Sequence, residues 1–268
     1  MTPVQQPVCL ITGAASGIGA ATAVRFARGG WSVAIGYYGA DTRAAALGVE
    51  VRCREAGADT LVFETDVRDD AACRAALLAV RQRWGRLDGL VNCAGTTRVI
   101  PHQDLEALDA AEFERVYAVN TIGLFQMTRA AAPLLAESAP PAGSNSVVNV
   151  SSLAGLNGTG SSLAYAASKG AVNTMTLSLA RSLAPRVRVN AVAPGMVDDG
   201  LLQRCLDERS YGEVIARMTR QAALQRVSRP AEVAEIAWFL ATQAPGITGQ
   251  VLCADNGLLL AGPGHGGS

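Results

Sequence analysis

The chain has 268 residues, 49% of them apolar, and its 23 basic and 23 acidic side chains cancel. That balance leaves no excess of cations to bind a nucleic acid or an acidic membrane surface, and no apolar run reaches the roughly 18 residues of a membrane span. The first residues carry neither a basic segment nor an apolar signal core, and six cysteines without a CxxC pair fit free thiols, so the expected setting is cytoplasmic.

In chain order, short β-branched or apolar runs alternate with alanine-rich helical stretches. Strands are expected at 8–11, 33–37, 60–64, 90–92, 146–150, 187–192 and 250–254, and helices around 17–29, 42–56, 69–83, 110–136, 164–183 and 230–241. Asp109 and Glu112 have the spacing of a capping box before the fourth helix. This alternation predicts an α/β fold of Rossmann type: a doubly wound, seven-stranded parallel sheet with helices on both faces, a three-layer α/β/α sandwich. No repeat or composition shift marks a linker, so 1–268 reads as one domain, with a flexible glycine-rich tail at 261–268. The alternation breaks over 196–222, where mixed charges follow a strand end. Ligands bind at the carboxyl ends of such strands, and the segment is read as a substrate lid, against the plainer reading of a surface helical hairpin.

The motifs fall at those strand ends. Thr12-Gly13-Ala14-Ala15-Ser16-Gly17-Ile18-Gly19 follows the first strand and opens a helix, a turn whose amides and helix terminus can hold a diphosphate. Asp66-Val67 ends the third strand, Asn92-Cys93-Ala94-Gly95 the fourth, and Pro194-Gly195-Met196-Val197 follows the sixth. Each alone is an ordinary turn, but together they converge on one crevice, as a long dinucleotide requires. Ser151-Ser152 ends the fifth strand and offers a hydroxyl to a substrate oxygen. Tyr165 and Lys169 stand four apart on a helix and share a face; an ammonium beside a phenol of ordinary pKa about 10 favours the phenolate, which makes the tyrosine a general acid or base. Taken alone, that spacing is also common on amphipathic helices. Asn120 is a poor helix former inside a long helix, either a surface amide or a side chain or bent backbone holding a water chain behind Lys169. The two histidines offer little material for a metal site or a Ser-His-Asp triad, and His102 is read as a solvated loop residue.

Taken jointly, TGAASGIG, DV, NCAG, Asn120, SS, YAASK and PG resemble, in order and spacing, the short-chain dehydrogenase/reductase family in its smaller branch, over about residues 8–260. The general pattern is similar to the 3-oxoacyl-carrier-protein reductases. The resemblance implies an NAD(P)(H)-dependent oxidoreductase interconverting a ketone or aldehyde and an alcohol, with no metal. It casts Tyr165 as general acid or base, Lys169 as lowering its pKa and binding the nicotinamide ribose, Ser152 as polarising the carbonyl, and Asn120 as part of the proton relay. Cofactor contacts are implied for Gly13, Ala15, Ser16, Gly17, Ile18, Gly19, Tyr37, Tyr38, Asp66, Val67, Asn92, Ala94, Gly95, Pro194, Gly195 and Val197, alongside Tyr165 and Lys169. The alternative is a catalytically silent dinucleotide sensor or scaffold, which has no chemical need to keep Asn120, Ser152, Tyr165 and Lys169 together.

Two departures from the family stand out. Cys93 replaces a second asparagine that helps brace the sheet, leaving Asn92 as the expected cofactor neighbour, and Asp199 stands where a threonine is common. Asp198 and Asp199 are read as solvated lid residues. NADP(H) is favoured over NAD(H): NAD-preferring relatives place an acid where Tyr37 stands here, with Tyr38 and Gly39 following and Arg43 near in sequence, although Ser16 occupies a position often basic in NADP-dependent relatives. Leu153, Leu156, Leu163, Met196 and Leu201 are expected around an apolar substrate body. A homotetramer, or a dimer, is implied through the helices at 110–136 and 164–183, with Ala171, Thr174, Ser178 and Ser182 permitting close approach.

Overall fold

In the computed structural model, which describes residues 6–141, 143–198 and 200–260, the strands β1 (Val8–Ile11), β2 (Ser32–Tyr37), β3 (Thr60–Glu64), β4 (Gly89–Asn92), β5 (Asn145–Val150), β6 (Val187–Pro194) and β7 (Val251–Ala254) pair in parallel. Their order is β3-β2-β1-β4-β5-β6-β7, so the winding reverses between β1 and β4, where Leu10 pairs with Leu90. Connections leaving β1 and β4 run to opposite sides, and a crevice opens at the carboxyl ends of these two strands.

Alternation along each strand sends side chains to two separate layers. Ile11, Val33, Ile35, Val91 and Val148 pack with Phe26, Val49 and Leu240 from α1 (Gly17–Arg28), α2 (Arg43–Glu55) and α10 (Pro230–Thr242). Leu10, Ala34, Leu90, Val147 and Val189 pack with Leu77, Met127 and Ala180 from α3 (Asp70–Trp84), α5 (Leu124–Ser138) and α7 (Leu163–Leu183). Central strands buried on both faces explain why the sequence reads there as unbroken apolar runs. One polar ladder crosses the second layer: Asn92 Nδ2 donates to Thr128 of α5 and to Asn149 Oδ1, each at 2.9 Å, and Asn149 in turn donates to Thr176 of α7 at 2.9 Å.

The helix expected over 110–136 is interrupted. α4 (Ala110–Tyr117), capped by Asp109, passes through a π-helical turn at Ala118–Gly123 before α5 begins. One extra residue in a turn re-aims the side chains that follow, and Asn120 lies within it, buried. The segment 196–222 folds as two helices, α8 (Gly200–Gln203) and α9 (Glu208–Gln221), the second capped by Asp207. A short α6 (Ala154–Asn157) fills the step between β5 and α7.

Candidate active site

The turn after β1 is fixed by backbone packed on backbone. Gly13 holds φ +63°, and a Cβ there would lie 2.8 Å from Ala94 Cα; one on Gly19 would lie 2.2 Å from the Gly13 carbonyl oxygen. Only glycine allows both approaches. The buried Thr12 hydroxyl accepts the amides of Cys93 and Ala94, each at 3.0 Å, and so ties the turn to the end of β4. Ser16 is the N-cap of α1, yet its side chain caps no amide, whereas Asp69, Asp109, Ser162 and Asp207 each cap their own helices. The positive end of α1 therefore opens on the cleft, where Ser16, Gly17, Ile18 and Gly19 form its floor. This donor set suits a diphosphate.

At the far end of that floor, Tyr37 closes β2 and is buried, while Tyr38 is 58% exposed. Arg68 donates to Asp66 at 2.6 Å and to the Tyr38 hydroxyl at 2.8 Å, with its guanidinium 5.3 Å from the Tyr38 ring centre. Hydrogen bonds from Arg68 hold the Asp66 carboxyl below the usual carboxylate range. Arg43 is exposed at the start of α2 and does not line the cleft, so the cation at this end is Arg68, which the sequence reading missed.

The opposite wall comes from β5 and α7. Ser151 turns inward to Asn173, and Ser152 faces the cleft, its Oγ accepting the Ala154 amide at 3.1 Å. Ser162 caps α7 by accepting the Tyr165 amide at 3.2 Å, so the helix begins with Tyr165 in its first turn. Lys169 lies one turn on, with Nζ 5.7 Å from the Tyr165 ring centre and donating to Val150 O at 2.8 Å. Burial pushes its pKa down to about 8, against a smaller opposing influence of Cys93. Asn120 stands behind: its Oδ1 accepts the Thr96 amide at 2.8 Å, and its Nδ2 donates to Thr96 O and to Ser168, each at 3.0 Å.

The cleft measures about 1150 Å³. Ser152, Tyr165 and Lys169 line it, as do Gly13, Ala15, Ser16, Gly17, Ile18, Gly19, Tyr37, Tyr38, Asp66, Val67, Ala94, Gly95, Pro194, Gly195 and Val197. Asn92 does not, and that expectation is corrected: its parity with Leu90 turns it to the α5 and α7 face, into the polar ladder, while Cys93, one residue beyond, faces the cleft. Among the apolar candidates, Leu153, Met196 and Leu201 line the cleft, but Leu163 does not and Leu156 is 46% exposed. His102 lies in a turn and is partly exposed, as expected of a solvated loop residue, and it also lines the cleft, with a ring nitrogen 3.2 Å from Gly160 O.

The segment 196–222 contributes Leu202, Arg204, Leu206, Val214, Arg217 and Met218, none of which any motif announced. Asp198 is exposed, as expected of a solvated lid residue, and its carboxylate accepts from Tyr211 of α9 at 2.8 Å. Asp199 and the tail at 261–268 lie outside the described residues. Among the described residues no cluster of His, Cys, Asp or Glu could hold a metal, and no helix is long and apolar enough to cross a membrane.

A reversing parallel sheet with a glycine turn and an open helix terminus at the switch point defines a Rossmann-type dinucleotide fold. The comparisons with known proteins agree. A family profile described as enoyl-(acyl carrier protein) reductase matches residues 13–259. A ketoacyl reductase named for the granaticin polyketide synthase of Streptomyces violaceoruber is 41% identical, over 94% of this chain and 96% of that protein. The 3-oxoacyl-[acyl-carrier-protein] reductase of Thermotoga maritima is 36% identical, over 94% of this chain and 98% of its own length. A solved short-chain dehydrogenase/reductase structure from Burkholderia xenovorans is 66% identical, covers 95% of this chain and 98% of its own, and superposes with a TM-score of 0.90. The chain belongs to the short-chain dehydrogenase/reductase family, and it is an NAD(P)-dependent oxidoreductase of that family.

Proposed function

We propose that the chain interconverts a ketone or aldehyde and the corresponding alcohol, with Tyr165 as general acid in reduction and general base in oxidation. The observation that carries this reading is that Ser152, Tyr165 and Lys169 line one wall of a cleft whose floor is the glycine turn, with the lysine Nζ 5.7 Å from the tyrosine ring centre. Relatives named as ketoacyl and 3-oxoacyl reductases, and a cis-4-hydroxycyclohexanecarboxylate dehydrogenase, support chemistry at a carbonyl or secondary alcohol.

When bound, the nicotinamide supplies or accepts the hydride. The protein's own residues manage the oxygen and its proton. Ser152 Oγ already accepts from the Ala154 amide, so its O–H is the part left to donate to the substrate oxygen. Tyr165 gives its phenolic proton to that oxygen as negative charge develops there, and the Lys169 ammonium stabilises the phenolate left behind. One of three Nζ donors is spent on Val150 O, which leaves the others for a ribose hydroxyl and a water. Asn120 has committed its amide to Thr96 and Ser168, so its part in a water relay falls to the backbone carbonyl, where the π turn resets the helical ladder.

On this reading Gly13, Ala15, Ser16, Gly17, Ile18 and Gly19 hold the diphosphate, Asp66 and Val67 the adenine, Ala94 and Gly95 the ribose region, and Pro194, Gly195 and Val197 the carboxamide. NADP(H) is the favoured form. The end of β2 carries tyrosines rather than an acid, and Asp66 and Tyr38 engage Nε and Nη2 of Arg68, which leaves Nη1 to meet a 2′-phosphate. Residues 196–222 act as the substrate lid on one catalytic domain. A homotetramer or dimer is supported by apolar exposure along α5 and α7 and the turn before α5, where Ile122 is 52%, Phe125 40% and Leu177 42% exposed beside the small exposed residues Thr174, Ser178 and Ser182.

The test follows reduced-nicotinamide absorbance with NADPH and NADH against a panel of ketones and aldehydes. Turnover is expected, with better constants for NADPH, and Tyr165→Phe should lose about 10²–10⁴-fold in rate while binding dinucleotide as before. A wild-type protein that binds dinucleotide but turns over no carbonyl, or a Tyr165→Phe variant of near-normal rate, would overturn the assignment.

A further inference from the structure

We propose that Arg204, on the lid, is a dinucleotide-binding residue that closes over the glycine turn and grips the diphosphate, so that seating the lid and holding the cofactor are one event. The proposal rests on the reading of the cleft as a dinucleotide site.

Arg204 follows α8, and its Nη2 donates to Ser16 Oγ at 3.1 Å, across 188 positions of sequence. Both residues line the same cleft. Ser16 is the N-cap of α1, whose first turn holds no acidic residue and whose cap hydroxyl serves no amide. A guanidinium is thus delivered to the positive end of a helix dipole, where a cation is repelled and an anion is favoured. The arrangement gains stability when an anion lies between the two, held by the amides of the turn below and by the planar guanidinium fork above. A second lid cation, Arg217 of α9, also lines the cleft, but Arg204 is the one that reaches Ser16. Arg209 pairs within its own helix with Glu213 at 3.0 Å.

The reach of Arg204 is set by how the lid sits. Cys205 Sγ lies 3.2 Å from Leu201 O and 3.9 Å from Thr97 O, against the segment after β4, and Tyr211 of α9 donates to Asp198 at 2.8 Å at the lid's base. Leu202 and Leu206 flank Arg204 along the cleft wall. A lid lifted off the cleft withdraws the guanidinium with it, which makes the diphosphate a latch for the cover over the substrate.

The diphosphate is common to NADPH and NADH, and that sets the test. Dissociation constants for both are measured by fluorescence titration on wild type, Arg204→Ala, Arg204→Lys and the double variant Ser16→Arg/Arg204→Ala. Arg204→Ala should weaken both dinucleotides by the same factor, about tenfold, with Arg204→Lys in between, while the cofactor-free melting midpoint stays unchanged. Moving the guanidinium onto the loop in the double variant should restore much of the affinity. Limited proteolysis reads the latch: NADPH should protect the lid of the wild type and fail to protect that of Arg204→Ala. A loss confined to NADPH would move the contact to the 2′-phosphate and overturn the diphosphate assignment; unchanged constants in Arg204→Ala would overturn the proposal altogether. If the wild type binds neither dinucleotide, the dinucleotide reading of the cleft is itself what has failed.

Discussion

The turn after β1 and the lid before α10 face each other across the cleft and are held by different means. The turn is backbone on backbone: Gly13 against Ala94, Gly19 against the Gly13 carbonyl, and one threonine hydroxyl accepting two amides. The lid is paired through backbone at its base, where Asp198 donates to Ser228 and Ser228 to Met196, and its helices beyond that are held by side chains. α9 buries none of its residues; Tyr211 donates to Asp198 at its base, and Arg209 with Glu213 is an exposed pair within the helix itself. Exposed pairs of that kind contribute about 0–1 kcal/mol, whereas a close-packed turn cannot shift by even a methyl group without cost. Rigid backbone suits a ligand part that never varies, and a loosely tethered helix suits one that does.

The sharpest way to break this contrast is at Gly19. An alanine there must push its Cβ away from a carbonyl oxygen 2.2 Å distant, and no side chain is available to yield. Gly19→Ala should lower stability by about 3 kcal/mol and weaken dinucleotide binding at least tenfold, read by denaturant unfolding and titration. A neutral substitution would show the turn to be as pliable as the lid.

The fixed half also holds a charge at a cost, and pH exposes it. Lys169 is buried and its pKa is pushed down from 10.5 to about 8. Between those values the unfolded chain binds the proton and the native chain does not, so stability rises with pH through that window and the penalty is fully present below it. Lys169→Met removes the penalty but leaves Val150 O without its donor, a loss of about 1 kcal/mol. The variant should therefore be more stable than the wild type at pH 7, by about 2 kcal/mol, and less stable above pH 10.5, a change of sign visible in unfolding curves at the two pH values. The activity supported by the ammonium should fall as pH climbs past about 8. Parallel stability curves for the two proteins would mean that the lysine is not charged at a cost.

These differences also decide what could be read from the sequence. The turn half was legible because its constraints act on residue type: glycine where a Cβ would meet backbone, and apolar runs where a strand is covered on both faces, as at Val8–Ile11. Asn92 and Cys93 were assigned the wrong way round because which of two adjacent residues faces the cleft depends on where strand pairing stops, and the motif does not encode that. The π turn escaped a periodicity reading because a single inserted residue barely disturbs the apolar spacing; the poor helix former Asn120 was its one trace. Arg68 sat beside a recognised motif, but its partner Tyr38 lies 30 residues away. Arg204, Arg217, Val214 and Met218 carry no local signal at all, since their address comes from how two short helices dock.

The smallest effect is expected at Gly212, in the middle of α9, where an added Cβ meets nothing within 4 Å. Glycine in an exposed helix interior costs about 1 kcal/mol relative to alanine, so Gly212→Ala should stabilise α9 by that amount, opposite in sign to Gly19→Ala. Where the gain appears distinguishes two kinds of lid. If α9 unfolds with the sheet, the melting midpoint should rise by about 2 °C. If the lid opens by itself, as side-chain tethers imply, the gain should appear as slower amide exchange confined to α9 while the midpoint stays put. The second outcome is the one expected, because a helix that buries no residue has little to hold it to the core once its tethers let go; a rise in midpoint of the full size would join the lid to the turn as one cooperative unit.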